Sequence, residues 1–151
     1  MAQPEEDGKH HPIVGKGTKI WEAHLSNIHP TVTIGENCRI HSHVWIGGFV
    51  KIGNNVKIQA FSYIPSGVFI EDNVFIGPHV VFTNDKYPPS NGKNWEQTFV
   101  RRGAVIGANA TILPGIEIGE NAKVGAGSVV TKSVSANVTV CGNPAKIHNK
   151  H

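Results

Sequence analysis

Asn84 and Asp85 are the residues of this 151-residue chain best suited to do chemistry. They open the stretch TNDKYPPSNGKNWEQTF at positions 83–99, whose two prolines and glycine are typical of a loop. An amide oxygen beside a carboxylate can hold an amine by hydrogen bonds and take a proton from it. A hydroxyl nucleophile needs more help, because its proton is held far above neutral pH. No histidine lies between His79 and the closing tail, so the loop favours an amine, with Asn84 orienting it and with Asp85, His79 or the departing leaving group accepting the proton.

The elements that position these residues are set by an aliphatic residue at every sixth position. The series runs from Ile28 to Phe82 without a slip and returns in the same phase from Val100 to Val130. A small or β-branched residue tends to follow four positions later, as at Val32 and Cys38. A hexapeptide period is typical of a parallel β-helix. We therefore predict an all-β solenoid in which each hexad is one short strand and a corner, with the aliphatic residue pointing inward.

The regular series also predicts the organisation of the chain. We expect residues 1–12 to be a mobile N-terminal tail, 13–138 to form the β-helix domain with its loop at 83–99, and 139–151 to cap the open end. A two-residue offset between Ile20 and Ile28 predicts a small bulge. The loop either replaces one full coil or leaves the solenoid and rejoins the phase. Long loops on a rigid scaffold are uncommon unless functional, so we look for a site here first.

Composition excludes several classes of protein. A net charge of +3 with a pI near 9.0 is too mild to argue for nucleic acid binding. No apolar run approaches the roughly 18 residues that cross a bilayer, and no secretion signal is apparent. Cys38 and Cys141 do not form a disulfide framework, and Cys38 falls on the small-residue position, where we expect it to be packed. We therefore expect a cytoplasmic protein without nucleic acid or membrane partners.

Two stretches of the chain resemble a known family. IGANATILPGIEIGENAKVGAGSVV (106–130) and the closing VCGNPAKI (140–147) resemble the hexapeptide-repeat acyltransferases. GPHVVFTNDKYP (77–88), followed by VRRGAVIGANATI (100–112), is similar to the branch that acetylates the 3-amino group of nucleotide-linked sugars. The resemblance implies a left-handed parallel β-helix with three hexads per coil, assembled as a homotrimer with sites between subunits. It also implies acetyl-CoA as co-substrate, a UDP- or dTDP-linked amino sugar as acceptor, and no metal.

Three hexads per coil would stack residues that are 18 apart, and this suggests where the acceptor binds. On that register His43, Phe61 and His79 share one outward face, and His41, Gln59 and Gly77 share another. The substrate-binding candidates are therefore His41, His43, Gln59, Phe61 and Tyr87. Tyr87 and Trp95 either stack on a nucleotide base or pack against a neighbouring subunit. Outward histidines of a β-helix can also be merely solvated or line a trimer seam.

The acyl donor is expected along the later coils. Small outward residues there would let backbone amides approach a pantetheine arm, and one such N–H can stabilise the oxyanion of the tetrahedral intermediate. The CoA-binding candidates are Gly103, Ala108, Ala126, Gly127, Lys132 and Lys146, together with Gly115 and, for the phosphates, Arg101 and Arg102.

Other interpretations remain open at this point. Asn84 and Asp85 also have the residue types that simply begin a turn. An O-acetyltransferase would require a base in the loop. A zinc hydratase on the same scaffold needs three converging histidines, and His24 and His29 have no evident third partner. A non-catalytic scaffold or trimerisation module would not need the GPHVVFTNDKYP motif.

Overall fold

The computed structural model describes residues 11–148, which wrap into a three-sided solenoid of short strands. Successive strands fall in turn on sheets 1, 2 and 3, so that neighbours within a sheet come from successive coils. Sheet 1 contains Ile13–Val14, Thr33–Ile34, Lys51–Ile52, Val68–Ile70, Thr98–Val100 and Glu117–Ile118. Sheet 2 contains Lys19–Ile20, Arg39–Ile40, Lys57–Ile58, Phe75–Ile76, Val105–Ile106, Lys123–Val124, Thr139–Gly142 and Ala145–Ile147. Sheet 3 contains Asn27–Ile28, Trp45–Ile46, Tyr63–Ile64, Val81–Phe82, Thr111–Ile112 and Val129–Val130.

The core consists of two sets of residue columns inside the solenoid, with one column of each set on each of the three sheets. Every hexad aliphatic residue from Ile34 to Val130 is buried, which confirms the inward assignment. The residues four positions later form the second set, where Cys38 is fully buried as predicted. A fully buried aliphatic side chain stabilises the fold by about 1.5–3 kcal/mol before the entropy cost. Since each residue packs against its counterparts one coil away, no hexad is stable alone.

The pairing register confirms three hexads per coil. Trp45 pairs with Tyr63, and Arg39 with Lys57, each 18 residues apart. Early in the chain Ile20 pairs with Ile40, 20 residues away. The two extra residues lie near a short 3-10 helix at Ala23–Leu25, where the bulge was predicted.

The loop leaves the solenoid and rejoins it in phase. Val68 pairs with Thr98, a separation of 30 residues, which exceeds one coil by 12. Thr98 and Phe99 already belong to the strand Thr98–Val100, so the excursion covers residues 83–97. Of the two alternatives left open by the sequence, the structure therefore has the looped-out one.

The chain ends in a small cap on sheet 2. Thr139–Gly142 continues the sheet in parallel with Lys123–Val124. Ala145–Ile147 then turns back and pairs antiparallel with it. No helix within residues 11–148 is long and apolar enough to cross a membrane.

Replacing Ile118 by Asp should unfold the solenoid. Ile118 is fully buried, so the variant loses a packed side chain and places an unpaired carboxylate in a dry column. Each of these effects costs several kcal/mol, and together they should remove about 4 kcal/mol or more of stability. Circular dichroism during thermal unfolding measures the change. Lys123→Asp introduces the same carboxylate at an exposed site and should melt like the wild type. A folded Ile118→Asp protein of wild-type stability would contradict the packing described here.

Candidate active site

A column of stacked rings lies at the corner between sheets 2 and 3. The His43 and Phe61 ring centroids are 4.7 Å apart, and those of Phe61 and His79 are 4.9 Å apart. The rings are nearly parallel, with interplanar angles of 21° and 8°. The shared face that the register predicted for these three residues is therefore present. Asn109 and Gly127 continue the column along the later coils, with the same left-handed backbone.

The side chains in this column are unusual for the backbone that carries them. His43, Phe61 and His79 all have φ between 57° and 63°, a conformation that Gly and Asn adopt most readily. The corner between sheets 1 and 2 shows the ordinary solution, with Asn37, Asn55, Asn73, Gly103 and Asn121 at equivalent positions. A bulky ring such as Phe61 is strained there, and strained residues cluster at functional sites. The ring column is accordingly a candidate binding surface.

A second, shorter stack lies on the sheet 2 side of the column. His41 stacks on Trp21 with centroids 4.8 Å apart. Gln59 follows His41 one coil later, and Gly77 follows Gln59. A Cβ at Gly77 would meet the Ala108 backbone nitrogen at 2.7 Å, so the glycine permits close coil packing. The sequence did not identify Trp21 as a site residue, because the two-residue offset moves Trp21 out of the 18-residue register with His41.

Asn84 is fixed by the coil below the loop. Its Nδ2 donates to the Ser66 carbonyl oxygen at 3.1 Å, and its own carbonyl accepts the Glu96 N–H at 2.9 Å. Because a carbonyl can only accept, the first bond determines which way the amide points. The Asn84 Oδ1 is therefore the atom available to accept a hydrogen bond from a ligand.

Asp85 organises the loop. Its carboxylate accepts the backbone N–H of Tyr87 at 3.2 Å and that of Ser90 at 2.8 Å. The Ser90 N–H, followed by smaller contributions including the Ser90 hydroxyl and Tyr87 N–H, holds the pKa of Asp85 below its usual value. A carboxylate with a lowered pKa is a weaker base.

Glu96 makes two contacts that hold the loop in place, and the sequence did not predict either of them. The Glu96 carboxylate pairs with the Lys86 ammonium at 3.2 Å. It also lies against Gly115, in the space that any Cβ at that position would occupy. Lys86 and Glu96 are ten residues apart in an irregular segment, so no periodic pattern could have brought them together.

A groove of about 390 Å³ runs between the loop and the later coils. Its walls include Asp85, Pro88, Pro114 and Lys132. Lys132 also lines a second cavity of about 380 Å³, which Lys146 lines as well. Both candidate ligands of the CoA phosphates therefore face the same cavity. Tyr87 and Trp95 are largely exposed on the outside of the loop.

The remaining candidate CoA residues divide between two corners. Ala108, Ala126 and Gly127 lie on the same corner as His79, and the Gly127 N–H donates to the Ala108 carbonyl at 2.8 Å. A Cβ on Gly127 would meet nothing within 4 Å, so open space faces its backbone. Gly103 lies at the corner between sheets 1 and 2 against the Asn121 side chain.

Arg101 is held by acidic residues from the coils on either side. Its guanidinium donates to Glu71 at 2.9 Å and to Glu117 at 2.8 Å. These bonds raise the pKa of Arg101 and lower the pKa of both carboxyls. Arg102 is more exposed, 4.0 Å from Asp72.

His79 and Asn84 lie at opposite edges of sheet 3 within one chain. Four residues, including the strand Val81–Phe82, lie between them, and five residue steps correspond to roughly 16 Å at strand spacing. One chain therefore does not bring the ring column and the loop amide together.

The histidines considered for a metal have other partners. His24 Nε2 lies 3.8 Å from Glu22, and His29 Nδ1 bonds the Thr31 hydroxyl at 2.8 Å. Within residues 11–148, no cluster of three His, Cys, Asp or Glu side chains is arranged to hold a metal ion.

Comparison with known families identifies the repeat. The model described as bacterial transferase hexapeptide (six repeats) matches residues 49–84 and 98–132. The model described as hexapeptide repeat of succinyl-transferase matches residues 31–65. Together the two models span more than half of the chain. The gap between the two segments of the first model coincides with the loop.

Individual relatives are similar over part of their length. A serine acetyltransferase from Buchnera aphidicola is 43% identical over 97 residues, covering 57% of this chain and 35% of the relative. A dTDP-3-amino-3,6-dideoxy-alpha-D-galactopyranose 3-N-acetyltransferase from Aneurinibacillus thermoaerophilus is 49% identical over 55 residues, covering 36% of this chain and 29% of the relative. The chain thus spans about a third of the length of these curated relatives.

A solved structure confirms the fold. A variant of AntD, an N-acyltransferase from Bacillus cereus, in complex with dTDP-4-amino-4,6-dideoxyglucose and coenzyme A, superposes with a TM-score of 0.80. It is 25% identical, and the match covers 91% of this chain and 82% of that protein. The left-handed β-helix expected from the sequence is thereby confirmed.

Replacing Asp85 by Ala should loosen the loop without unfolding the solenoid. The variant leaves the Tyr87 and Ser90 N–H groups without their acceptor, while the buried columns are untouched. We expect trypsin to cut at Lys93 severalfold faster than in the wild type, with an unchanged melting curve. Glu120→Ala, at an exposed site, serves as the control and should be cut at the wild-type rate.

The same bonds predict a pH dependence of loop order. Because the pKa of Asp85 is lowered in the fold, its contribution is complete above the unfolded carboxyl pKa and is lost as pH falls through the folded value. The protection factors of the Tyr87 and Ser90 amides, which correct for the intrinsic pH dependence of exchange, should fall across that window in the wild type only. Equal protection in the wild type and Asp85→Ala would contradict the role assigned to this carboxylate.

Proposed function

Because this chain belongs to the hexapeptide-repeat transferase family, we propose that it transfers an acetyl group from acetyl-CoA to the 3-amino group of a UDP- or dTDP-linked sugar. The observation that carries the proposal is the loop amide. The Asn84 Nδ2 donates to the Ser66 carbonyl, which leaves Oδ1 to accept a hydrogen bond, and the neighbouring residues Thr83 and Asp85 line the groove. An acceptor amine donates to that oxygen and is oriented by it. Similarity to a dTDP-3-amino sugar N-acetyltransferase and to an N-acyltransferase in complex with a dTDP-amino sugar and coenzyme A supports this assignment.

In the proposed reaction, the chain mainly supplies orientation. The free amine attacks the thioester carbon, a C–N bond forms, and the C–S electron pair leaves with the thiolate. The amine proton passes to that thiolate, since the lowered pKa of Asp85 makes the carboxylate a weak acceptor. Asn84 holds the amine in line, and such orientation is worth several kcal/mol of barrier. The open backbone at Gly127 and Ala126 is the proposed approach for the pantetheine arm, with Lys132 and Lys146 near the CoA phosphates.

We further propose that the active site is shared between subunits of a homotrimer. The outward face of sheet 3 exposes apolar side chains, with Trp45, Tyr63 and Val81 each between 37% and 40% exposed. His79 lies at one edge of this face and Asn84 at the other. Packing the face against a neighbour would bring the His79 corner of one chain to the Asn84 loop of the next. The trimer is proposed to act in the cytoplasm.

An acceptor hydroxyl is the second candidate. The similarity to a serine acetyltransferase favours it, whereas the absence of a histidine from the loop sequence opposes it. The deciding experiment incubates the protein with acetyl-CoA and nucleotide-linked 3-amino sugars, 4-amino sugars, or serine and simple sugars. Thiol release measures turnover. Release with the hydroxyl acceptors alone would overturn the amine assignment, and release with none of them would favour a non-catalytic scaffold.

Asn84→Ala should lower kcat on the amino sugar about a hundredfold, because a misplaced nucleophile loses rate far more than it loses affinity. The dissociation constant for CoA should change little. Asn94→Ala removes another exposed amide from the same loop and should leave kcat near the wild-type value. Wild-type turnover by Asn84→Ala would refute the proposed role.

Complementation tests the shared site. His79→Ala removes a ring of the proposed acceptor surface and Asn84→Ala removes the orienting amide, so each variant alone should lose most of its turnover. Co-expression should restore part of it, because mixed trimers contain sites with both wild-type residues. Asn84→Ala co-expressed with Asp85→Ala is the matched control, since both changes lie in the same loop and no mixed site regains an intact loop. Equal activity in the two mixtures would contradict a site built from two chains.

A further inference from the structure

Sheet 2 carries three cationic side chains on consecutive coils. Lys19 pairs with Arg39, and Arg39 pairs with Lys57, in parallel register. All three are exposed. Neighbouring strands lie about 4.8 Å apart, and like charges facing each other across a sheet destabilise it. We call Lys19, Arg39 and Lys57 the basic ladder.

Carboxylates of the described chain do not compensate the basic ladder. None of the ion pairs formed among residues 11–148 involves its three members. The acidic side chain nearest to it in sequence, Glu22, lies 3.8 Å from His24 instead. Glu36 is exposed at the preceding corner, also outside those ion pairs.

Arg101 on sheet 1 is an internal comparison. There the fold neutralises one cation with Glu71 from one neighbouring coil and Glu117 from the other. The same scaffold thus can place acids above and below a cation. On sheet 2, by contrast, Arg39 has Lys19 and Lys57 at the paired positions of the neighbouring coils. An uncompensated series of this kind suits an anionic ligand.

Aromatic rings adjoin the basic ladder. Trp21 and His41 stack at 4.8 Å, and the Arg39 guanidinium lies 6.0 Å from the centre of the Trp21 ring. Trp21 is 40% exposed. Stacking on aromatic side chains is the general way in which proteins hold a base without reading its edge. Cations beside an exposed ring therefore match a phosphate joined to a nucleoside.

The ladder lies on the acceptor side of the molecule. Arg39 is two residues before His41, and Lys57 is two before Gln59, so both share coils with the proposed acceptor surface. Further along sheet 2, Phe75 and Val105 interrupt the positive charge before Lys123. The proposed CoA residues Lys132 and Lys146 lie beyond that interruption.

We propose that the basic ladder and the Trp21–His41 stack bind the nucleoside diphosphate of the acceptor. The inference rests on the proposed function and names where that substrate's nucleotide is held. Coenzyme A also contains a nucleoside diphosphate, so the recognised chemistry is common to both substrates. The position of the ladder beside His41 and Gln59 assigns it to the acceptor.

Calorimetric titration of UDP, dTDP and CoA tests the assignment without turnover. Arg39→Gln should weaken UDP or dTDP binding about threefold, as expected for one exposed charge contact. The triple variant Lys19→Gln, Arg39→Gln, Lys57→Gln should weaken it more than tenfold and reduce its dependence on salt. CoA affinity should stay within twofold of the wild-type value in both. Lys123→Gln makes the same charge change on the same sheet and should alter none of these affinities.

Each outcome decides the inference. Unchanged UDP and dTDP binding in a folded triple variant would overturn it, as would a wild type that binds neither nucleotide. A loss confined to CoA would overturn the assignment to the acceptor.

Thiol release separates this inference from the proposed function. Nucleotide binding that depends on the ladder, in a protein without turnover on any amino sugar, would keep the nucleotide site and reject the function. Normal turnover with a nucleotide affinity independent of the ladder would do the reverse.

Discussion

The stacking of buried aliphatic residues from coil to coil is the interaction on which the rest of the structure depends. From Ile34 to Val130 each hexad residue is buried against its counterparts, and the parallel pairing keeps them in register. An insertion within a strand would move every later side chain out of its column. The loop avoids this because it leaves after Phe82 and returns at Thr98 with the columns still aligned. Irregular structure is therefore confined to corners and ends, which is where the proposed reaction pocket lies.

The corners impose a second constraint, because several of their residues need a positive φ. Asn and Gly satisfy it between sheets 1 and 2, whereas His43, Phe61 and His79 occupy the corner between sheets 2 and 3. A non-glycine residue in a disfavoured region costs about 1–3 kcal/mol, and an aromatic pair returns about 0.5–1.5 kcal/mol. Stacking thus offsets only part of the strain. The remaining strain is consistent with the acceptor surface proposed for these three rings.

The sequence predicted the features that follow the hexad period and missed the contacts that do not follow it. The hexad period was enough for the buried columns and for the packed position of Cys38, and with the 18-residue register it aligned His43, Phe61 and His79. It could not decide whether the loop replaces a coil, because both paths preserve the phase. The Glu96 contact with Lys86 and Gly115 has no periodic signal. The 18-residue register also places Gly103 at a different corner from Ala108 and Ala126. The small size that these three residues share does not reveal this difference in position.

The electrostatics of the loop favour an acceptor that needs little help to lose its proton. Asp85 is engaged by two backbone N–H groups, and its pKa is lowered for that reason. A carboxylate stabilised in its ionised form has little tendency to deprotonate a hydroxyl, whose proton is held far above neutral pH. An amine, in contrast, loses its ammonium proton much closer to neutrality and then requires only orientation. In the proposed reaction that orientation comes from Asn84, whose amide is fixed by its bond to the Ser66 carbonyl, while Asp85 contributes the order of the loop and does not act as the base.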